Sequence, residues 1–451
     1  MNLNEKKVLV FGTGISGIGA ADLLQEVGAK PVLYDGNTKL NPDAIRAKLK
    51  DGKDVPVILG ELSDEEMKTL DLVVLSPGVP TDLPVVNRMR DAGLVIWGEI
   101  ELAYQMGKGR ILAITGTNGK TTTTAMLGKI MSDYVDNVYV VGNIGTPYTS
   151  MALKMTEDTT TVAEISSFQL ETIQDFQPMV SAILNITEDH LNRHHTMEEY
   201  IRVKELITLN QTKDQVCVLN YEDEVLRAFG EQAPVKVVFF SSERKLDQGL
   251  YLDGKNIMLK DGDKEIVITD TDSLKILGKH NHENTMAAAG MAYYAGVPVE
   301  SIKKSVEEFV AVEHRIEYVT EKKGVVYYND SKGTNPDAAI KAIQAMNRPT
   351  ILIGGGYDKD SSFDEWIMAF GGKVRYLVLI GQTREKIQET AHRCGFMDTI
   401  LVDNLEEAVK LSAKLARSGD AVLLSPACAS WGQFDNYEQR GRMFKEYVHA
   451  L

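Results

Sequence analysis

RILAITGTNGKTTTTAMLGKIM, residues 110–131, is the stretch on which the fold turns. Arg110 to Thr115 is a short apolar run of strand length, Gly116-Thr-Asn-Gly119 a tight turn, and Lys120 to Met131 a helix whose first turn is rich in threonine. A strand that feeds a glycine turn into a helix start aims backbone amides, a lysine and a hydroxyl at one place. Phosphate is the natural occupant of such a place. The common form G-x-x-x-x-G-K-[ST] has glycine where this chain has Ile114, so the loop is a variant P-loop. A magnesium nucleotide there requires Lys120 on the β/γ-phosphates, the Thr121 hydroxyl on the metal, and a carboxylate to complete a hard oxygen shell. The plainer alternative is a threonine-capped helix after a tight turn, with no ligand.

Upstream, KKVLVFGTGISGIGAADLLQEVGAKPVLYD, residues 6–35, has the same layout. Lys7 to Phe11 reads as a buried strand, GTGISG as its turn, Ile18 to Val27 as a helix and Lys30 to Tyr34 as the next strand. Gly12-x-Gly14-x-x-Gly17, with Asp35 ending that second strand, is the dinucleotide fingerprint in its proper context. The spacing implies a backbone able to approach a pyrophosphate at a helix N-terminus. Some other nucleotide, NAD, and a ligand-free turn all stay open. Apolar runs at Leu72 to Leu75 and Leu94 to Ile96 carry this parallel sheet to about residue 98.

Downstream, strands are predicted at Val162 to Ile165, Val180 to Asn185 and Gln215 to Leu219. Between Val235 and Ile276 short alternating segments are separated by Asp253-Gly254 and Asp261-Gly262, a small β-meander attached to the central domain. Strand and helix patterns alternate again from Val325, with strands at Val325 to Asn329, Thr350 to Ile353, Tyr376 to Ile380, Thr399 to Val402 and Ala421 to Leu424. The expectation is an α/β chain of three domains: a Rossmann-like 1–98, a P-loop ATPase-type parallel sheet with a small β appendage over 99–312, and a Rossmann-like 313–451. A length of 451 residues agrees with about three domains.

Composition narrows the classes. Hydrophobic residues at 43% and charged residues at 25% are ordinary globular usage. Lys plus Arg at 49 against Asp plus Glu at 64 leaves a net charge of −15, so no global positive field draws the chain onto nucleic acid or an anionic membrane, and any phosphate site is local. Cys217, Cys394 and Cys428 form no CxxC pair, which points to a reduced, cytoplasmic setting. The apolar run Val8 to Phe11 is too short for a signal segment, and nowhere do 18 apolar residues run together, so neither secretion nor membrane insertion is expected.

Carboxyl ends of parallel strands are where ligands sit in open α/β sheets. Glu164 and the run Glu188-Asp189-His190 fall there and are candidates for the metal shell. By itself His190 is more often a hydrogen-bonded loop residue, and Lys204 is one exposed helical lysine.

Taken together, GTNGKTTT, GNIGTP, EISSFQLE, NITEDHLNRH, GKHNHEN, EHR, NDSKGTNPDA, GGGYDK and SPACASWGQFDNYEQRGR resemble the Mur ligases, which build the peptide stem of bacterial cell-wall precursors. The motifs span the chain and occur in that family's order. The resemblance implies ATP and Mg²⁺, two ions, as cofactors, and a UDP sugar rather than NAD on the first domain. It places ATP on Gly116, Thr117, Asn118, Gly119, Lys120, Thr121 and Thr122, with Asn281 and Asn284 at the adenine, Arg315 at the phosphates and Asp330 at the ribose. Thr121, Glu164, His190 and Lys204 would hold the metal, Lys204 as a carbamate, which requires a neutral amine and so a lowered pKa. With Lys120, the residues Glu164, His190 and Lys204 form the implied catalytic set. Gly14, Ser16, Asp35, Ser76, Gly78 and Asn143 would contact the UDP substrate. Lys332, Thr334, Lys359, Ser430 and Tyr437, the last standing where the family has phenylalanine, would form the amino-acid site.

The first domain and the SPACAS/QRG ending are most similar to the members that add D-glutamate to UDP-N-acetylmuramoyl-L-alanine, and the implied partners are those two substrates and ATP, on a monomer. A carboxylate is a poor acyl donor until a phosphoryl group from ATP makes it an acyl phosphate that an amine can attack. Lys120 and the cations neutralise the transferring charge. Three domains carrying three substrates imply closure before chemistry. The alternatives are the L-alanine-adding ligase, a P-loop ATPase without ligase activity, and a nicotinamide oxidoreductase that leaves GTNGKTTT unexplained.

Overall fold

Gly12 has φ +104°, and a Cβ on Gly17 would stand 1.8 Å from the Gly12 carbonyl oxygen. Only glycines let the chain fold back this tightly, so the turn between the first strand and the helix Ile15–Glu26 lies where the fingerprint predicts. The computed structural model describes residues 2–143, 145–310, 312–359 and 361–451. Among them the strands form three sheets.

The first sheet comprises β1 (Lys7–Phe11), β2 (Lys30–Asp35), β3 (Val57–Leu59), β4 (Leu72–Leu75) and β5 (Ile96–Gly98), in the order β3-β2-β1-β4-β5 and parallel throughout. The second comprises β6 (Arg110–Thr115), β7 (Val138–Gly142), β8 (Thr160–Glu164), β9 (Val180–Ile183), β10 (Val216–Asn220), β11 (Lys236–Ser241), β12 (Gly249–Asp253), β13 (Asn256–Asp261) and β14 (Lys264–Asp270), in the order β14-β13-β12-β11-β10-β9-β6-β8-β7. The meander is therefore continuous with the central sheet: β12 pairs with β11 in parallel and with β13 antiparallel, across a turn in which Gly254 takes φ +59°.

The third sheet comprises β15 (Glu317–Lys322), β16 (Val325–Asn329), β17 (Thr350–Gly354), β18 (Val374–Leu379), β19 (Thr399–Leu401) and β20 (Ala421–Leu424), ordered β15-β16-β20-β17-β18-β19. All pairs are parallel except β15 with β16. The edge strands β3, β7 and β15 are absent from the sequence reading. They are only partly buried and so carry no continuous apolar run.

The chain forms two compact units, Met1–Thr269 with Glu283–Val306 and Asp270–His282 with Glu307–Leu451. In the first unit a single apolar cluster includes Val10, Leu33 and Ile100 from around the first sheet and Tyr148, Ala163 and Ile183 from the second. Gly98 N donates to Thr172 O at 3.2 Å where the two sheets meet. The second unit buries clusters on both faces of its own sheet, around Trp366 on one and Phe444 on the other. No helix among the described residues is long and apolar enough to cross a membrane.

Candidate active site

The glycine loop joins β6 to the helix Lys120–Tyr134, with Gly116 at φ +145° and Gly119 at φ +86°. That helix of 15 residues opens with no side-chain cap on its N-terminal amides, which leaves them to an anion. The loop is pinned to the end of β9: Asn118 N donates to Asn185 Oδ1 at 2.8 Å, and Asn185 Nδ2 returns a bond to Asn118 O at 3.1 Å. A Cβ on Gly119 would meet Asn284 Oδ1 at 2.3 Å, so the Gly119 turn requires glycine. Thr122 is buried within the helix's first turn.

Two lysines close on this loop. Lys120 Nζ donates to Gly116 O at 2.8 Å and Thr117 O at 2.9 Å. Lys204 Nζ, from the helix Met197–Glu205, donates to Gly116 O at 2.9 Å and sits 4.6 Å from the centroid of the Tyr200 ring. Lys204 is 1% exposed, and burial, reinforced by the Lys120 charge, lowers its pKa from 10.5 to about 7. The Tyr200 hydroxyl is 3.0 Å from Thr117 Oγ1. The expectation of a solvated Lys204 is thus corrected. Tyr200, not singled out from sequence, stands four residues before it on the same helical face.

Glu164 ends β8, which pairs with β6, so its buried carboxylate lies in the strand beside the one that feeds the loop. Asn143, expected at the UDP substrate, donates from Nδ2 to Glu164 Oε1 at 2.9 Å. His190 takes a left-handed φ of 53° on an exposed loop, its ring 4.9 Å from Phe168 and its Nε2 3.4 Å from Asp189 Oδ2. Beside it Arg193 and His194 both reach Glu171, at 2.5 and 3.3 Å, which locks EISSFQLE to NITEDHLNRH. Among the described residues no three His, Cys, Asp or Glu side chains converge on a metal-sized point. Magnesium typically takes one or two carboxylates and completes its octahedron with water and phosphate oxygens. Glu164 with the Thr121 hydroxyl fits that pattern; a cage of protein ligands alone would not be met.

At the first sheet, Gly14 caps the helix Ile15–Glu26 without a side-chain bond, and a Cβ there would meet nothing within 4 Å. This open N-terminus is the room a diphosphate needs. Asp35 accepts from Thr13 Oγ1 at 2.9 Å and Asn37 N at 3.0 Å. Ser76 Oγ faces Gly12 O at 3.5 Å, and Gly78 has open space where a side chain would be. Ser16 stands in the first turn of that helix, and the buried Glu99 carboxyl, raised above the usual range by desolvation, is held by Gln169 Nε2 at 2.8 Å.

In the second unit, the carboxyl ends of the adjacent strands β16, β20 and β17 release the segments that carry Lys332 and Thr334, Ser430, and Lys359. Arg440, 1% exposed, ties two of them: Nε donates to Ser331 Oγ at 2.9 Å, one terminal nitrogen to Ser331 O at 2.8 Å and the other to Cys428 O at 3.2 Å. Sequence reading passed over Arg440; its only signal was its place in QRGR. Lys332 Nζ lies 5.7 Å from the Tyr437 ring centroid and Lys359 Nζ 4.8 Å from that of Trp431. Burial, followed by Glu438, pushes the Tyr437 phenol up to about 12. Asp330 is turned inward, accepting from Ser425 Oγ at 2.7 Å and Ile316 N at 3.3 Å, and burial raises its pKa to about 7. The Nε of Arg315 is buried with no hydrogen-bond partner among the described residues. Asn281 Nδ2 donates to Leu277 O at 2.7 Å.

Residues 6–98 match the family described as Mur ligase MurD-like, N-terminal domain, residues 114–292 the Mur ligase middle domain, and residues 314–428 the Mur ligase, glutamate ligase domain. The chain is similar to the UDP-N-acetylmuramoylalanine–D-glutamate ligase of Lachnoclostridium phytofermentans, 57% identical over 100% of this chain and 99% of that one. It is 57% identical to the same-named protein of Lachnospira eligens and 46% to that of Clostridioides difficile, each with 100% of both chains covered. Among solved structures, a UDP-N-acetylmuramate-alanine ligase from Thermotoga maritima superposes with a TM-score of 0.60 at 20% identity, covering 99% of both chains. A MurF from Acinetobacter baumannii gives 0.60 at 18% identity, with 86% of this chain and 87% of that one covered. These two likenesses are of fold.

Proposed function

The chain belongs to the Mur ligase family, and from that premise we propose that it joins D-glutamate to UDP-N-acetylmuramoyl-L-alanine with ATP, an amide-forming step in peptidoglycan precursor synthesis. The observation that carries the chemistry is the glycine loop 116–119 with Lys120 and Lys204 on one side and Glu164 ending the strand alongside.

In this reading residues 1–98 hold the UDP substrate, 99–312 hold ATP and 313–451 hold the amino acid. The loop amides and Lys120 hold the β- and γ-phosphates, Asn281 and Asn284 face the adenine, and Arg315 and the Asp330 loop meet phosphate and ribose. A carboxylate oxygen of the UDP substrate attacks the γ-phosphorus and ADP leaves. The D-glutamate amine then attacks the acyl carbon, and phosphate departs from the tetrahedral intermediate with loss of a proton. Lys120 stays beside the transferring group and offsets its charge throughout. Mg²⁺ would add electrostatic stabilisation of the same oxygens; Thr121 and Glu164 would hold one ion, His190 a second, and Lys204, as a carbamate, would also be a magnesium ligand. With a pKa of about 7, Lys204 has a substantial neutral fraction at neutral pH, and that neutral amine would take up CO₂ with release of a proton to give a carbamate, an anion suited to magnesium. Gly14, Ser16, Asp35, Ser76, Gly78 and Asn143 contact the UDP substrate. Lys332, Thr334, Lys359, Ser430 and Tyr437 receive the amino acid.

The test is product mass. The protein is incubated with ATP, Mg²⁺ and UDP-N-acetylmuramoyl-L-alanine against D-glutamate, L-alanine or L-lysine. A product heavier by one glutamyl residue, with phosphate release dependent on both acceptor and amino acid, is expected. Release of phosphate without either substrate points to a bare ATPase and overturns the reading.

A further inference from the structure

The strands β17 and β20 lie side by side in parallel, Ile353 opposite Leu424, so the segments 355–359 and 425–431 leave the sheet together. They are stitched close: Tyr357 N donates to Ala429 O at 2.9 Å, and a Cβ on Gly356 would stand 2.4 Å from that same oxygen. The Tyr357 ring meets the Trp431 indole edge-on at 5.6 Å, which fixes the indole from one side. The Lys359 ammonium sits over the indole at 4.8 Å. Trp431 is 53% exposed, so it is not held in place as part of a core.

We propose that Trp431 is a positioning residue that holds the Lys359 ammonium ready for the side-chain carboxylate of the incoming amino acid. The inference rests on the assignment of Lys359 to the amino-acid site. A lysine side chain has four rotatable carbons and loses much freedom when fixed. A carboxylate partner would fix it but would also neutralise it and compete with the substrate. A ring face attracts the cation through its quadrupole and leaves the positive charge and the N–H donors for the ligand.

Steady-state kinetics of the full chain at saturating ATP and UDP substrate test this. Trp431→Leu keeps apolar bulk without a π face. It should raise the KM for D-glutamate roughly two- to fivefold, the size of a cation–π contact at an exposed site, with kcat and the other two KM values unchanged. Trp431→Phe should stay within about twofold of the parent, because a ring face remains. In a Lys359→Ala background, Trp431→Leu should add nothing, since the two losses are one interaction. A parental KM in Trp431→Leu, or an equal increment in both backgrounds, overturns the role of Trp431. A parent chain that consumes no D-glutamate overturns the assignment of function on which the inference stands.

Discussion

Lys120 and Lys204 donate to one acceptor, the carbonyl oxygen of Gly116, at 2.8 and 2.9 Å. Burial lowers the Lys204 pKa to about 7, and repulsion from the Lys120 ammonium that shares this oxygen adds to the fall. The loop that would receive phosphate thus gathers two lysine side chains, and Lys204 is the one poised to give up its proton near neutrality.

For Lys204 the linkage sign is definite. Its pKa of 10.5 in the unfolded chain falls to about 7 in the fold, so between those values the unfolded state binds more protons and stability rises with pH. Below pH 7 the cost of burying the charge is fully present. Lys204→Met, which fills the same volume without a charge, should raise the thermal midpoint at pH 7 and flatten its rise toward pH 10. A parallel pH dependence in parent and variant counts against the lowered pKa.

Activity should follow the same residue differently. Lys204→Ala is expected to be nearly inactive and to recover in part when a small carboxylic acid in the buffer supplies the missing anion. Lys204→Arg should be inactive and beyond rescue, because guanidinium does not take up CO₂ at neutral pH. Parental turnover in Lys204→Arg disposes of the carbamate.

Lys120→Ala should abolish ligation while the circular dichroism spectrum and unfolding midpoint stay near those of the parent. Its bonds to Gly116 O and Thr117 O are made at a partly solvated helix start, where such contacts are worth about 1 kcal/mol, against the much larger electrostatic work on a transferring phosphoryl group. Retained ligation removes the P-loop assignment.

A D-glutamate side chain brings a second carboxylate, and a site without a fixed cation binds it poorly. Lys359→Ala should therefore raise the KM for D-glutamate by about 2 kcal/mol, near thirtyfold, with ATP and UDP-substrate binding intact by calorimetry. L-Alanine should not be accepted. Preference for L-alanine in the parent leaves the family standing and removes the D-glutamate reading.

Arg440→Lys removes a fork that one ammonium cannot reproduce, since its three nitrogens reach Ser331 Oγ, Ser331 O and Cys428 O. Loss of buried charged hydrogen bonds should destabilise the second unit by about 2–3 kcal/mol. Amide exchange across 329–334 and 425–431 should quicken while the glycine loop 116–119 is unaffected. Unchanged exchange in those two segments assigns Arg440 no part in holding them.

The glycine turns were legible because they are local. Gly12 and Gly17 are constrained by atoms five residues apart, and 116–119 by the strand that runs into it. The central strands β6, β9, β16, β17 and β20 were legible because burial on both faces writes a continuous apolar run. Edge strands such as β7, with Val140 exposed, leave no such run. The environment of Lys204 was illegible for a different reason: its acceptor lies 88 residues away in the chain, and no pattern within a helix reports that distance. Arg440 and Trp431 were hidden likewise, since each takes its role from segments contributed by other strands.

The shared cluster of the first two sheets bears on how the chain is made. The helix Ile15–Glu26 packs near Gly19 against Thr149, whose Oγ1 would lie 2.9 Å from a Cβ there. During translation the N-terminal sheet emerges first and covers one side of that helix, yet the side around Gly19 that meets Tyr148 and Thr149 stays uncovered until those residues have left the ribosome. A truncation ending at residue 98 therefore exposes a greasy face that the full-length protein never shows, and such a fragment is expected to aggregate or recruit chaperones although its parallel sheet is complete.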